Sequence, residues 1–342
     1  MLGYKLAIVG ATGLVGQEFI KILEQRSFPI ESIRLLASDR SAGQKLFVSH
    51  QEILVEETVP ESFNDIDIAL FSAGTDISRY FSPIANRSGA VVVDNSSAFR
   101  MDPHVPLVVP EINPEDIRQH KGIIANPNCS TIQMVMALYP LHKINPIKRI
   151  IVTSFQSVSG TGSIAVDELA TQSKQLLEGQ KNVVSHAYPH QIAFNVLPEI
   201  DVFLDDAYTK EERKMAEETR KIMHARDIAI SATCVRVPVF IGHSEAINIE
   251  FSQAISPDEA RHILAQAPGV KLLDDPALSL YPQSWAAAGT DEVFVGRIRQ
   301  DVSCPNGLVI WVVADNLRKG AALNTVQIVE KMVKKGWLYF GG

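Results

Sequence analysis

Short apolar runs and helical stretches take turns through the first third of the chain. Lys5–Val9 is a continuous apolar run that predicts a strand. Leu14–Gln25 carries apolar residues at helical spacing and is closed by Pro29. Further strands are predicted at Ile33–Ala37, Ile66–Phe71, Ala90–Val93 and Ile123–Ala125. Runs without polar alternation suit strands buried on both faces, so this part predicts a parallel sheet with helices on each side. An apolar helical run then opens at Cys129 and reaches about Leu141. Beyond it the pattern changes. Arg149–Phe155, Ile228–Val235, Ala246–Phe251, Val293–Arg299 and Leu308–Val313 are longer and more alternating, as in a largely antiparallel sheet. Helices are predicted at Ile164–Leu177 and from Thr209, where Thr209 and Glu212 form a capping box. Gly320–Lys335 is apolar and helical, and suits a return to the first domain. The expected division is 1–128 with 320–342, and 129–319.

Composition narrows the function classes. A chain of 342 residues with 46% hydrophobic and 21% charged residues has the material for two packed domains. A net charge of -7 argues against a nucleic-acid partner, although a small basic pocket could still hold phosphate. No apolar run approaches the ~18 residues of a membrane span. The opening Met1-Leu2-Gly3-Tyr4-Lys5 runs directly into a strand and reads as neither signal nor transit peptide. Cys129, Cys234 and Cys304 form no CxxC pair and no even disulfide framework, which fits a reducing cytosol and a cytoplasmic location. The histidines lack metal-ligand spacing, and no metal site is expected.

Two motifs carry chemistry. Gly10-Ala11-Thr12-Gly13-Leu14-Val15-Gly16 follows a predicted strand and opens a predicted helix. Glycines there allow a tight turn, close backbone approach to a pyrophosphate, and a helix lying close on the strand. A tight turn without ligand is the plainer alternative. At the end of the second strand, Ser38, Arg40 and Ser41 suit the 2′-phosphate of NADP, while Asp39 could instead serve the free 2′-hydroxyl of NAD. NADP is the favoured cofactor. The second motif is Asn126-Pro127-Asn128-Cys129-Ser130-Thr131. It sets a thiol behind a stiff turn at a helix start, where free N–H groups and the helix dipole favour thiolate. Cys234, inside an apolar strand, reads as a small buried hydrophobe, and Cys304 as a turn thiol.

Those two motifs, with Asp94–Arg100, Phe155–Gly162, Val235–Glu245 and Asp315-Asn316-Leu317-Arg318-Lys319-Gly320, closely resemble the aspartate-semialdehyde dehydrogenase family. The resemblance covers nearly the whole chain. It implies an N-terminal Rossmann-type dinucleotide-binding domain followed by an α+β catalytic and dimerisation domain. It also implies a homodimer performing NADP-dependent reductive dephosphorylation of L-4-aspartyl phosphate to L-aspartate 4-semialdehyde, in lysine, threonine and methionine synthesis. By resemblance Cys129 is the nucleophile, Gln156 orients the substrate beside it, and His243 is the general acid/base. Arg236 takes the α-carboxylate and Glu218 the amino group. Arg100, Lys221 and Asn128 take the phosphate. Ser159, Gly160 and Asn316 join Gly10, Thr12, Gly13, Leu14, Val15 and Gly16 around the cofactor.

Several of these residues read differently from local pattern alone. Glu218 and Lys221 are three apart on one helix and fit an exposed ion pair. Arg236 and His243 are seven apart, so an unbroken strand would point them to opposite faces. A shared site then needs a bend, for which Pro238 or Gly242 is available. An unperturbed imidazole at His243 would titrate near the working pH. The alternative functions are another acyl-phosphate or acyl-CoA reductase of related fold, such as N-acetyl-glutamyl-phosphate reductase, and a non-catalytic NADP-binding sensor.

Overall fold

A computed structural model describes residues 3–49 and 51–338. Met1 and Leu2, read above as leading into a strand, and residues 339–342 lie outside the described residues. The chain divides into two compact units, Met1–Asn128 with Ala321–Gly342, and Cys129–Gly320.

The first unit runs β1 Tyr4–Val9, α1 Leu14–Gln25, β2 Ile30–Ala37, β3 Lys45–Val48, β4 Gln51–Glu57, β5 Ile68–Phe71, α2 Thr75–Arg87, β6 Val91–Asp94 and β7 Ile123–Ala125. Its sheet has the order β3-β4-β2-β1-β5-β6-β7, parallel throughout except for the β3–β4 hairpin. Alternation along β1 shows why the central strands read as unbroken apolar runs. Leu6 and Ile8 join a core with Phe19 of α1 and Val326, while Ala7 and Val9 join one with Phe63, Phe71 and Ala85. The first core is closed by a helix over Leu323–Lys335, which packs on α1 and β6. Apolar runs do not reveal β3 and β4, because the hairpin is an edge with most side chains in solvent, Phe47 and Leu54 among them.

The second unit contains α3 Cys129–Ile144, β8 Ile147–Gln156, α4 Ser163–Leu177, α5 Lys210–Ile222, β9 Ala229–Arg236, β10 His243–Phe251, α6 Pro257–Ala265, β11 Val270–Leu272, α7 Ser284–Ala287, β12 Val293–Gln300 and β13 Gly307–Ala314. The Thr209–Glu212 capping box forms at the start of α5. The sheet order is β11-β12-β13-β10-β8-β9. It is mixed. β10 pairs antiparallel with β8 and β13, as does β12 with β13, whereas β8–β9 and β11–β12 are parallel. Parallel pairing of β8 with β9 follows from the helical crossover through α4 and α5.

Register then sorts one face of this sheet into rows. Arg236 lies opposite Gln156, and the Ser244–Phe155 pairing carries His243 alongside Gln156 one step on. One row deeper, Cys234, Ser154 and Glu245 are neighbours, and below them come Ala232, Val152 and Ile247. All nine side chains are buried. Helix α3 covers the face over β8 and β10, and α5 covers β9.

Two glycines of the first βα turn are demanded by the protein itself. A Cβ on Gly16 would lie 2.2 Å from the Gly10 carbonyl oxygen and 2.7 Å from Ala11 Cα. Gly10 has φ +85°, and a Cβ there would meet Ser72 O at 2.3 Å. A Cβ on Gly13 meets only Gly10 O, at 3.4 Å. Gly16→Ala is therefore expected to lose about 1–3 kcal/mol of unfolding free energy, while at Gly13→Ala the weaker N-cap and the stiffer unfolded chain offset each other to within about 0.5 kcal/mol. Urea denaturation of both variants checks this, and equal losses would contradict the geometry.

Candidate active site

Gly10–Gly13 turns directly off the end of β1, with the Gly10 and Ala11 N–H groups bound to Leu36 O of β2. Gly13 sits at the N-cap of α1 and is exposed, with Thr12, Leu14 and Val15 half-buried beside it. Nothing in the protein requires the missing Cβ of Gly13, so its bareness leaves room for a ligand at a helix N-terminus. That fits a dinucleotide pyrophosphate. The turn after β2 holds Ser38, Arg40 and Ser41 near the surface. The Asp39 carboxylate accepts the Arg40 backbone N–H at 2.8 Å, and Ser41 N donates to Ser38 O. Asp39 is thus engaged in its own turn.

In the same unit Asp94 ends β6 and shapes the loop bearing Arg100. Its carboxylate accepts from Ser78 Oγ, Ser96 N and Ser96 Oγ. Arg100 Nη2 donates to Asn95 O at 2.8 Å, and Asn126 Nδ2 donates to Asn95 Oδ1 at 2.8 Å. Asn126 Oδ1 accepts in turn from Asn324 Nδ2 at 2.7 Å. Arg100 and Asn128 are both buried.

In the second unit Cys129 is the first residue of α3 and is partly exposed between buried Asn128 and Ser130. Gly320 packs on it so closely that a Cβ there would come within 2.9 Å of Cys129 Cβ. Gln156, Arg236 and His243 form the top row of the sheet face below α3. Gln156 Nε2 donates to Ser154 Oγ at 3.1 Å and to Glu211 Oε1 at 3.2 Å. Arg236 Nη1 donates to Ser157 O at 2.7 Å. The odd spacing of Arg236 and His243 is resolved without a bent strand. They lie on different strands with β8 between, joined by a turn in which Gly242 has φ +94°. Gly160 brings them together: a Cβ there would lie 3.0 Å from Arg236 Nη1 and 3.3 Å from His243 Nε2.

His243 departs from the unperturbed imidazole. It is fully buried, and desolvation, helped by the Arg236 charge, pushes its pKa well below the ordinary value. The ring is neutral at working pH. Ser157 N donates to Nδ1 at 3.0 Å, which puts the proton of the neutral ring on Nε2. Nε2 has no partner among the described residues and faces Gly160. Asn316 supports this loop as a hub: its Oδ1 accepts from Ser157 Oγ, Ser159 Oγ and Gly242 N, and its Nδ2 donates to Ser159 Oγ. Ser159 and Asn316 are correspondingly buried.

Glu218 is only 1% exposed, so a solvated surface pair does not describe it; Lys221, one turn on, is half-buried. Cys234 is a buried thiol whose pKa is raised by desolvation and by Glu211, which makes it inert. Cys304 sits in the turn between β12 and β13. Pattern reading missed two buried acids. Glu211 holds Gln156 and pairs with Lys214 at 3.3 Å. Glu245 lies in the second row with neither oxygen hydrogen-bonded, and the Gln133 amide set against it. The signal for Glu245 was present: it occupies an inward position of a strand whose next inward residues are Ile247 and Ile249.

Known proteins resemble the whole chain. Residues 5–120 match the model of the semialdehyde dehydrogenase NAD binding domain, and residues 138–319 match that of its dimerisation domain. The chain belongs to the aspartate-semialdehyde dehydrogenase family. The Aquifex aeolicus enzyme is 56% identical over 98% of this chain and 99% of its own length. The Bacillus subtilis enzyme is 50% identical over 97% and 98%. A crystal structure of aspartate semialdehyde dehydrogenase II from Vibrio cholerae, complexed with ASA, superposes with a TM-score of 0.95 at 45% identity over 98% of this chain and 99% of that one. The Candida albicans enzyme with NADP gives a TM-score of 0.77 at 27% identity, covering 98% and 99%. The family makes this an oxidoreductase of the aspartate pathway with a nicotinamide cofactor. Among the described residues no helix is long and apolar enough to cross a membrane.

Glu245 yields a test of site electrostatics. Burial without a charged partner lifts its pKa well above the ordinary 4.5, so the folded chain holds a proton that the unfolded chain releases. Its contribution to stability is complete below the ordinary carboxylate range and is lost as pH rises towards the folded value. Glu245→Gln keeps the shape and removes the titration. Its unfolding free energy is expected to fall less than the parent's between roughly pH 5 and pH 8, by up to about 1.4 kcal/mol per pH unit. Parallel profiles in urea denaturation would show that Glu245 is ionised in the fold.

Proposed function

We propose that this chain catalyses NADP-dependent reductive dephosphorylation of L-4-aspartyl phosphate to L-aspartate 4-semialdehyde through a thioester on Cys129. The observation that supports it most directly is the row Arg236–Gln156–His243 below the helix that Cys129 opens. A partly exposed thiol at a helix start is disposed to ionise and attack an acyl phosphate carbon. The tetrahedral oxyanion collapses, the bond to phosphate breaks, and a thioester remains. Arg100, Lys221 and Asn128 hold the departing phosphate. Arg236 takes the α-carboxylate with its planar fork, Glu218 takes the amino group, and Gln156, fixed by Ser154 and Glu211, orients the acyl group.

The dinucleotide, when bound over Gly10–Gly16, supplies the hydride. His243 offers a hydrogen bond from Nε2–H to the oxyanion of the reduced acyl carbon. As that oxyanion collapses to the aldehyde, the C–S bond breaks and its electron pair returns to Cys129 as thiolate. Because Ser157 N occupies Nδ1, the ring works through a single nitrogen. Neutrality in the resting state keeps a second cation away from Arg236. Covalent attachment holds the acyl carbon in place between the two steps.

The cofactor is NADP, read at its 2′-phosphate by Arg40 with Ser38 and Ser41. The product feeds lysine, diaminopimelate, threonine and methionine synthesis in the cytoplasm. The enzyme works as a homodimer. The outer face of the second unit's sheet supports this, with a groove of about 630 Å³ lined by Ser244, Ala246, Tyr281, Arg299 and Trp311.

Cys129→Ala is expected to lower phosphate-dependent NADP reduction by the semialdehyde at least about a thousandfold. Substantial remaining turnover would remove the covalent step. Arg40→Ala is expected to raise KM for NADP by about tenfold to a hundredfold, the loss of a charge-assisted contact, with KM for NAD little changed. Equal effects on both cofactors in steady-state assays would take Arg40 out of the 2′-phosphate site.

A further inference from the structure

Between α4 and α5, residues 178–209 contain no helix or extended strand. Two buried side chains of α4 pin this strap. Glu168 Oε2 accepts the backbone N–H groups of His186 and Ala187 at 2.5 and 2.7 Å. Gln172 Oε1 accepts those of Ile192 and Ala193 at 3.0 and 3.1 Å, and its Nε2 donates to Val184 O at 2.9 Å. Ile192, Ala193 and Leu197 then enter a small core with Val158, Ala165 and Leu169. So many buried bonds into an irregular segment make it a rigid part of the fold.

The strap meets Arg236 twice. Leu197 and Arg236 exchange both backbone hydrogen bonds, at 2.9 and 2.8 Å. The Tyr188 ring lies under the guanidinium, 5.8 Å from its centroid to Cζ. Tyr188 is itself tied down, its hydroxyl hydrogen-bonded to Thr161 Oγ1 at 2.9 Å. On the other side Arg236 Nη1 is held by Ser157 O, while Nε is buried with no partner among the described residues.

A bidentate guanidinium–carboxylate pair requires the two planes to coincide. The Ser157 carbonyl fixes one corner of the fork and leaves it free to swing about that bond. The Tyr188 ring beneath Cζ restricts that swing. We propose that Tyr188 is a positioning residue that sets the plane of Arg236 and so makes the site select aldehydes bearing an α-carboxylate. This rests on the reading that Arg236 takes that carboxylate.

The test compares two aldehydes, L-aspartate 4-semialdehyde and 3-aminopropanal, which is the same molecule without the carboxylate. Tyr188→Leu is expected to raise KM for the semialdehyde about 2- to 30-fold, the range of a cation–π contact, with kcat little changed. KM for 3-aminopropanal and for NADP should not move. Tyr188→Phe keeps the ring and should restore most of the semialdehyde KM. In an Arg236→Lys background, Tyr188→Leu should add nothing further. Equal rises for both aldehydes, a fall confined to kcat, or full additivity with Arg236→Lys would overturn the proposal. Should the leucine variant fail to fold, Tyr188→Met, similar in bulk but lacking a π face, carries the same comparison. A parent enzyme with the same KM for both aldehydes would sink the carboxylate role of Arg236 itself, an outcome separate from any effect of Tyr188.

Discussion

Strand register in the six-stranded sheet is the constraint on which the candidate site depends. β8 is flanked by a parallel partner on one side and an antiparallel partner on the other. That arrangement brings the last residue of β8, the last of β9 and the first of β10 into one row, although they lie 80 and seven positions apart along the chain. A slip of one residue in either pairing would turn a functional side chain to the opposite face. Two glycines guard the same geometry. A Cβ at Gly160 would crowd Arg236 and His243, and one at Gly320 would press on Cys129 Cβ.

Burial then decides the charge state of what the register has gathered. The top row places a guanidinium next to an imidazole in a water-poor layer, and the imidazole yields its charge because it has the weaker hold on a proton. One layer down, burial with no cation to pair with raises the Glu245 pKa and favours its neutral form. Neutrality there matters for Cys129 as the proposed nucleophile. An anion beneath α3 would oppose formation of a thiolate at its first residue. The polar second row of Cys234, Ser154 and Glu245 thus differs from an ordinary core in composition but not in net charge.

Much of this was legible in the linear chain. Continuous apolar runs marked the central parallel strands because both of their faces are covered, and the Thr209–Glu212 cap was readable because capping is local chemistry. The β3–β4 hairpin escaped the same reading, since an edge exposed to solvent leaves no apolar run. The spacing of Gly10, Gly13 and Gly16 was visible, but not that Gly10 and Gly16 answer to the protein while Gly13 leaves space for a ligand. That distinction lies in atoms of Ser72 and Ala11 that approach only after folding.

The sequence by itself determined the family and the two-part architecture and named the candidate reactive groups, because each is carried by a contiguous motif. Tertiary structure alone decided how those groups behave. That Arg236 and His243 share a face, that His243 is neutral with its proton on Nε2, that Asn316 braces a loop, and that Glu211 holds Gln156 all follow from strands and helices remote in sequence. Burial and pairing are properties of neighbours in space, and a chain read residue by residue does not contain them.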